Sequence, residues 1–215
     1  MDGLGIHTAL AIRLHESGGT PRSDAQASAT LLECVGLVAG ARLVAPPEEG
    51  NDGAVVLRPD GPESLLELIE RTADGLRPAR ATYGVALAGA NAPVASLDRV
   101  VVGADAVTTA ALTALLATGL RSTRVAILAP ARQPLLEALT SLILEFTDRM
   151  TDRQRQVIAL VRDSRTQQQV AKHLGVSRQA VNQSLTSAGW HHIRHAETAV
   201  RDGLVALALG RGQRV

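Results

Sequence analysis

Arg178, Gln179, Asn182, Gln183 and Thr186 all carry hydrogen-bonding heads, and their spacing places them on one face of a helix. Their types narrow the chemistry. A guanidinium fork pairs bidentately with the acceptors of guanine, and a carboxamide matches the donor and acceptor of adenine. The major groove of duplex DNA is wide enough to admit the helix that carries them. A face made only for water carries Glu and Lys more often. The expected work of this surface is recognition of base edges, with no bond made or broken. A helical hairpin that binds nothing is the alternative for the same residues.

The stretch "TQQQVAKHLGVSRQAVNQSL", residues 166 to 185, indicates how that face is held. Val170, Ala171 and Leu174 fall on one helical face, and Val181, Leu185 and Ala188 on another, so two short amphipathic helices flank Gly175 and Val176. Thr166 and Gln169 have the spacing of a capping box, and Ser177 is an N-cap type at the start of the second helix. Ala171 is small where the helices must cross, Gly175 can take the positive φ of a helix end, and Val176 can fill the angle. The pattern is a helix-turn-helix. In the usual docking of that motif, Thr166, Gln167, Lys172 and Ser177 would meet the phosphate backbone while the second helix reads bases.

Thr151 and Gln154 make a second capping box, opening a helix whose Val157, Ile158 and Val161 would pack beneath the motif. The DNA module is therefore expected over 151–215, with "PLLEALTSLILEF" in a connecting helix at 133–150. After Gly189, "WHHIRHAETAVRDGLVALAL" resumes helical spacing through Ile193, Ala196, Val200 and Leu204. Leu135, Leu136, Leu139, Leu142 and Ile143 before the module, and Ile193, Val200, Leu204 and Leu207 after it, exceed what so small a module can bury. They predict a homodimer seam that would set two recognition helices about one DNA turn apart. Packing on the sheet of residues 1 to 130 is the other reading.

Composition limits the alternatives. In 215 residues, 46% are hydrophobic and 20% charged, enough for a soluble globular core. Aromatics are only 1% (Tyr83, Phe146, Trp190), so base stacking, the usual device for single strands and RNA, has little to work with. Cys34 is alone in an apolar run, which allows no internal disulfide or cysteine-based zinc site and fits a buried thiol in a reducing compartment. No leader or long uncharged apolar run appears, so a cytoplasmic protein without membrane contact is expected. The net charge of +1 hides an asymmetry. Residues 148–203 hold nine Lys/Arg against five Asp/Glu, whereas residues 1–147 hold eleven against sixteen. A local positive field favours phosphate through counterion release, and an acidic partner domain is held away from it.

Over 1–132 the element types alternate. "IHTALAIRL" reads as a strand, 24–40 as a helix, "ARLVA" and "GAVVLRP" as a hairpin around "PPEEGND", and "PESLLELIERTADGL" as a helix. "RATYGVALAG" is a strand, 104–119 a helix and "RVAILAP" a last strand. The predicted class is α+β: a ferredoxin-like, cyclase-like antiparallel sheet with helices on one face, acting as a sensor or dimerisation domain, followed by an all-α helix-turn-helix domain.

The order "TDRQRQVI…VAKHLGVSRQAVNQSL…AGW" after an α/β domain resembles the SatD family of bacterial proteins, and the helix-turn-helix is similar to sigma-factor region four. The SatD resemblance implies a degenerate relative of nucleotidyl cyclases and GGDEF-type enzymes. Cyclase chemistry needs acids at the end of the first strand and on the central hairpin to hold two metals. The hairpin offers Glu48, Glu49 and Asp52, but "LAIRLHESGG" has no aspartate at the strand end, and Glu16 comes late. A solvated acidic turn is the plainer account, and no catalysis and no cofactor are expected. His191, His192 and His195 lack a carboxylate or cysteine to complete a metal set, and are expected to face phosphates or solvent. The sequence thus reads as a dimeric, sequence-specific regulator of transcription on duplex DNA, with a nucleotide effector and RNA polymerase as further candidate partners. The alternatives are a nucleotide-binding or nucleotide-processing enzyme with a DNA anchor, and an adaptor on RNA polymerase. Turnover of nucleoside triphosphates with Mg²⁺ separates the enzyme from the regulator.

Overall fold

The run "HTALAIRLH" forms strand β1, His7–His15, whose residues 8 to 12 are all buried. β1 is the middle strand of a five-stranded sheet that also contains β2 (Arg42–Ala45), β3 (Val55–Arg58), β4 (Arg80–Ala88) and β5 (Val125–Leu128), in the order β2-β3-β1-β4-β5. The computed structural model describes residues 7–15, 33, 42–45, 55–59, 61–77, 80–88, 106–121, 123–129, 133–163 and 165–210. The helix expected at 24–40 lies outside these apart from Glu33, as do Cys34 and the acidic residues Glu16, Glu48, Glu49 and Asp52.

β1 pairs antiparallel with β3 and β4, and β2 pairs antiparallel with β3. β5 departs from the antiparallel sheet expected, because it runs parallel to β4 with Gly84 beside Ala126. The cause lies in the connection. Helix α2, Ala106–Arg121, carries the chain back along the sheet between β4 and β5, so the second strand starts from the same end as the first.

A second correction concerns the faces. Ala9 and Ala11 of β1, Val56 of β3 and Ala86 of β4 form a core with Val107, Ala110, Ala111, Leu112 and Leu115 of α2. The alternate residues Leu10, Ile12, Leu57, Tyr83 and Val85 point the other way and are also buried. Helix α1, Leu65–Gly75, meets that second set, with Thr72 Oγ1 3.5 Å from the Tyr83 hydroxyl. The sheet is therefore covered on both faces rather than one. The continuous apolar run of "ALAI" has this meaning, since a sheet with one wet face alternates polar residues.

The α2 face is built from small side chains so that the helix can come close. A Cβ on Gly84 would lie 2.2 Å from the carbonyl oxygen of Ala111 and 2.3 Å from the nitrogen of Leu115. Only glycine fits there.

Helix α3, Pro134–Asp148, closes the free edge of β5. The outward N–H of Val125 donates to Ser141 Oγ at 3.2 Å, and that of Ile127 to Glu137 Oε1 at 2.9 Å. Two strand residues rise about 6.6 Å and four helical residues about 6 Å, so the side chains at 137 and 141 match the spacing of alternate N–H groups.

By contacts the chain divides into residues 1–141 with 200–215, and residues 142–199. These limits differ from the sequence boundaries at 132 and 151, because the end of the last helix, α7 (Trp190–Ala208), groups with the first unit. There Val200, Leu204 and Leu207 are buried, and Gly203 lies against Leu136, whose Cδ2 would stand 2.7 Å from an added Cβ. Most of the stripe assigned to a dimer seam is thus absorbed within the chain. Ile143 and Ile193 are buried too, whereas Leu135, Leu142 and Phe146 remain exposed.

Candidate nucleic-acid interface

The second unit takes its form from three N-caps. Helix α4, Asp152–Arg162, begins at Thr151, whose Oγ1 accepts from the Gln154 N–H at 3.2 Å while Gln154 Oε1 accepts from the Thr151 N–H at 2.9 Å. Helix α5, Gln167–Leu174, repeats this box with Thr166 and Gln169, at 3.3 and 2.8 Å. Helix α6, Arg178–Ser187, starts at Ser177, which accepts from the Ala180 N–H at 3.1 Å. Each cap satisfies amide groups that a helix start leaves open, typically stabilising by about 1 kcal/mol.

Gly175 sets the turn between α5 and α6. Its φ is 65°, the left-handed conformation, and the Val176 N–H returns to the Ala171 carbonyl at 3.0 Å. The apolar faces then meet. Val157, Ile158, Val170, Ala171, Val181, Leu185, Ala188, Trp190 and Ile193 are buried. Gln154 Nε2 donates to Ser187 Oγ at 3.0 Å, tying the start of α4 to the last residue of α6. Arg162 at the end of α4 pairs with the buried carboxylate of Glu197 on α7 and lies over the Trp190 ring.

With the inner face fixed, the outer face of α6 is determined. Arg178, Gln179, Asn182, Gln183 and Thr186 are all exposed. Among the described residues, none of these side chains makes a hydrogen bond or ion pair within the chain. Arg178, Gln179 and Asn182 share a shallow concave surface with the half-buried Gln167 of α5, while Gln183 and Thr186 lie outside it. Lys172 is exposed on α5. Thr166 and Ser177 are exposed as well, but their hydroxyls are engaged as caps, which leaves the neighbouring backbone amides as their means of meeting an anion. An arrangement of one guanidinium fork and several amides can recognise a polar ligand through hydrogen bonds.

Sequence reasoning missed two supports of this surface. Gln154 stood out as a capping residue, and its bond to Ser187 spans 33 positions that no local pattern connects. Neither Arg162 nor Glu197 stood out in the sequence, although the aromatic Trp190 lies between them. His191, His192 and His195 are exposed on α7, and no group of three His, Cys, Asp or Glu among the described residues is placed to hold a metal. No helix among the described residues is long and apolar enough to cross a membrane.

Comparison with protein families matches residues 148–189 to Sigma-70, region 4. No SatD-like family match is found. No curated protein and no solved structure matches the chain. The matched residues run from the end of α3 through the turn after α6 and include the whole exposed face described above. The module is a helix-turn-helix of DNA-binding type, joined to a mixed α/β unit.

Proposed function

We propose that the protein is a sequence-specific regulator of transcription that binds duplex DNA with α6 in the major groove. The observation that carries this reading is the row of polar side chains on α6 that no other described residue engages, on a helix fixed by caps and core. Arg178, Gln179, Asn182, Gln183 and Thr186 read base edges, and Thr166, Gln167, Lys172 and Ser177 set the backbone register. The likeness of 148–189 to Sigma-70, region 4 supports a role in transcription and points to RNA polymerase as the protein partner. So short a module reads few base pairs, and a two-fold dimer supplies the second half-site. Leu142 and Phe146, exposed near the end of α3, support self-association.

The first unit is read as a sensing domain of ferredoxin-like, cyclase-like type that has lost catalysis, as a SatD-like architecture implies. The antiparallel order β2-β3-β1-β4 supports the first part, with β5 as an addition. The second part is supported by β1, which holds no carboxylate from His7 to His15.

Binding sites recovered from genomic DNA fragments supply the operator for the test. On that operator, Arg178→Ala is expected to cost about 1–3 kcal/mol if it pairs with guanine, and affinity falls steeply with salt. Equal affinity at two salt concentrations, or full retention in Arg178→Ala with Gln179→Ala, rejects the assignment of α6.

A further inference from the structure

The concavity lined by Gln167, Arg178, Gln179 and Asn182 joins the starts of two helices. Gln167 is the first residue of α5 and Arg178 the first of α6, each directly after the residue that caps its helix. The left-handed Gly175, with the Val176 N–H returned to the Ala171 carbonyl, fixes the turn between them. Gln167 is half-buried, whereas Arg178, Gln179 and Asn182 are exposed. Among the described residues, none of the four side chains makes a hydrogen bond or ion pair within the chain. The concavity has a volume of about 370 Å³, at the small end of ligand sites, which is enough to seat the edge of one base pair.

Donors and acceptors do not balance evenly across this lining. A guanidinium has five N–H donors and no acceptor, and the N7 and O6 of guanine take two of the five. The flexible arginine stem is better ordered if a spare donor is also held. The acceptors in the concavity are the carboxamide oxygens of Gln167, Gln179 and Asn182. A carboxamide that reads adenine turns its oxygen to N6 and its nitrogen to N7, which is the task of Gln179 and Asn182 on α6. Gln167 comes from the other helix, and its partial burial leaves it less freedom to lose. No carboxylate lines the concavity. An acid there would hold the fork in a charged pair and compete with guanine, whereas a neutral amide can orient the fork with little competition.

We propose that Gln167 is a positioning residue for specificity. On DNA its carboxamide oxygen accepts from an Arg178 N–H that guanine leaves unused, and its NH₂ group donates to the adjacent phosphate. Backbone register and the reading of one G·C pair are thereby linked. The proposal rests on the reading of α6 as the base-contacting helix and gives Gln167 a role beyond backbone register.

Affinities of the full chain for the operator recovered from genomic fragments, and for its single-base-pair substitutions, test it. Arg178→Ala is expected to erase a preference of about tenfold or more at one G·C pair. Gln167→Ala is expected to reduce the preference at that same pair about threefold or more, and to add little in the Arg178→Ala background. Lys172→Ala, the phosphate control, is expected to weaken all sequences alike. Uniform weakening by Gln167→Ala, a change of preference at a different pair, or an equal loss with and without Arg178 overturns the proposal and leaves α6 as the reader. Thermal melts report on folding. A lowered melting temperature with the preference intact also overturns it, assigning Gln167 to the stability of the turn. If Arg178→Ala alters the preference at no base pair, the α6 reading fails and this proposal with it.

Discussion

The guanidinium of Arg162 lies 5.1 Å from the centre of the Trp190 ring and also pairs with Glu197, whose side chain is only 8% exposed. A cation on an aromatic face and a carboxylate beside it make one contact between the end of α4 and the start of α7. Removing the cation leaves a buried acceptor without its charged partner. Arg162→Ala is therefore expected to lose about 1–3 kcal/mol in urea denaturation. Arg162→Lys recovers only part, since a point charge lacks the planar fork. A change within about 0.5 kcal/mol, the range of an ordinary surface substitution, would show that the pair contributes little.

Gly84→Ala places a methyl group inside the backbone of α2. The nearest atoms are the carbonyl oxygen of Ala111 and the nitrogen of Leu115, which cannot rotate away. The cost is expected at or above about 3 kcal/mol, the upper end for overpacked cores. Gly119→Ala, in the same helix but with open space around it, should instead stabilise by about 0.5–1 kcal/mol through helix propensity. Thermal unfolding of the two variants side by side checks the contrast, and equal melting temperatures refute it.

The absence of a carboxylate along β1 leads to an expectation about chemistry. Incubation with ATP or GTP and Mg²⁺ or Mn²⁺ should yield neither a cyclic nor a dinucleotide product. A product that disappears in Asp52→Ala would promote the enzyme with a DNA anchor over the regulator.

Self-association is expected to involve the exposed part of α3. Light scattering at micromolar concentration should give about twice the chain mass of 22.5 kDa, shifted toward monomer by Leu142→Glu. Leu204→Glu does not test this seam, because Leu204 is 1% exposed and its replacement damages the interior. A monomer mass with one protein per operator would remove the dimer from the proposal.

The sequence disclosed most where structure is local. Both threonine boxes, the Ser177 cap and the left-handed Gly175 depend on neighbours within four residues, and all four were legible. The outer face of α6 followed, because its inner face was fixed by Val181 and Leu185. Relations between distant segments were harder to read. Val200, Leu204 and Leu207 form the same apolar stripe whether they cover this chain or another, and only the positions of Leu136 and Gly203 decide it. The parallel setting of β5 depended on the path of α2, which composition leaves open. Nothing local marked Glu137, which is buried against a strand edge and accepts from the Ile127 N–H.

That edge has a consequence for how the chain avoids its own copies. An outer strand with open amides is a template on which another chain can add, the first step toward fibres and swapped assemblies. At β5 the amides of Val125 and Ile127 are already occupied by Ser141 and Glu137. Growth past β5 would require dislodging α3 and leaving a buried carboxylate without its donor. The helix that leads toward the DNA-binding module thus also ends the sheet, so that association through other surfaces does not open a route to aggregation along this border.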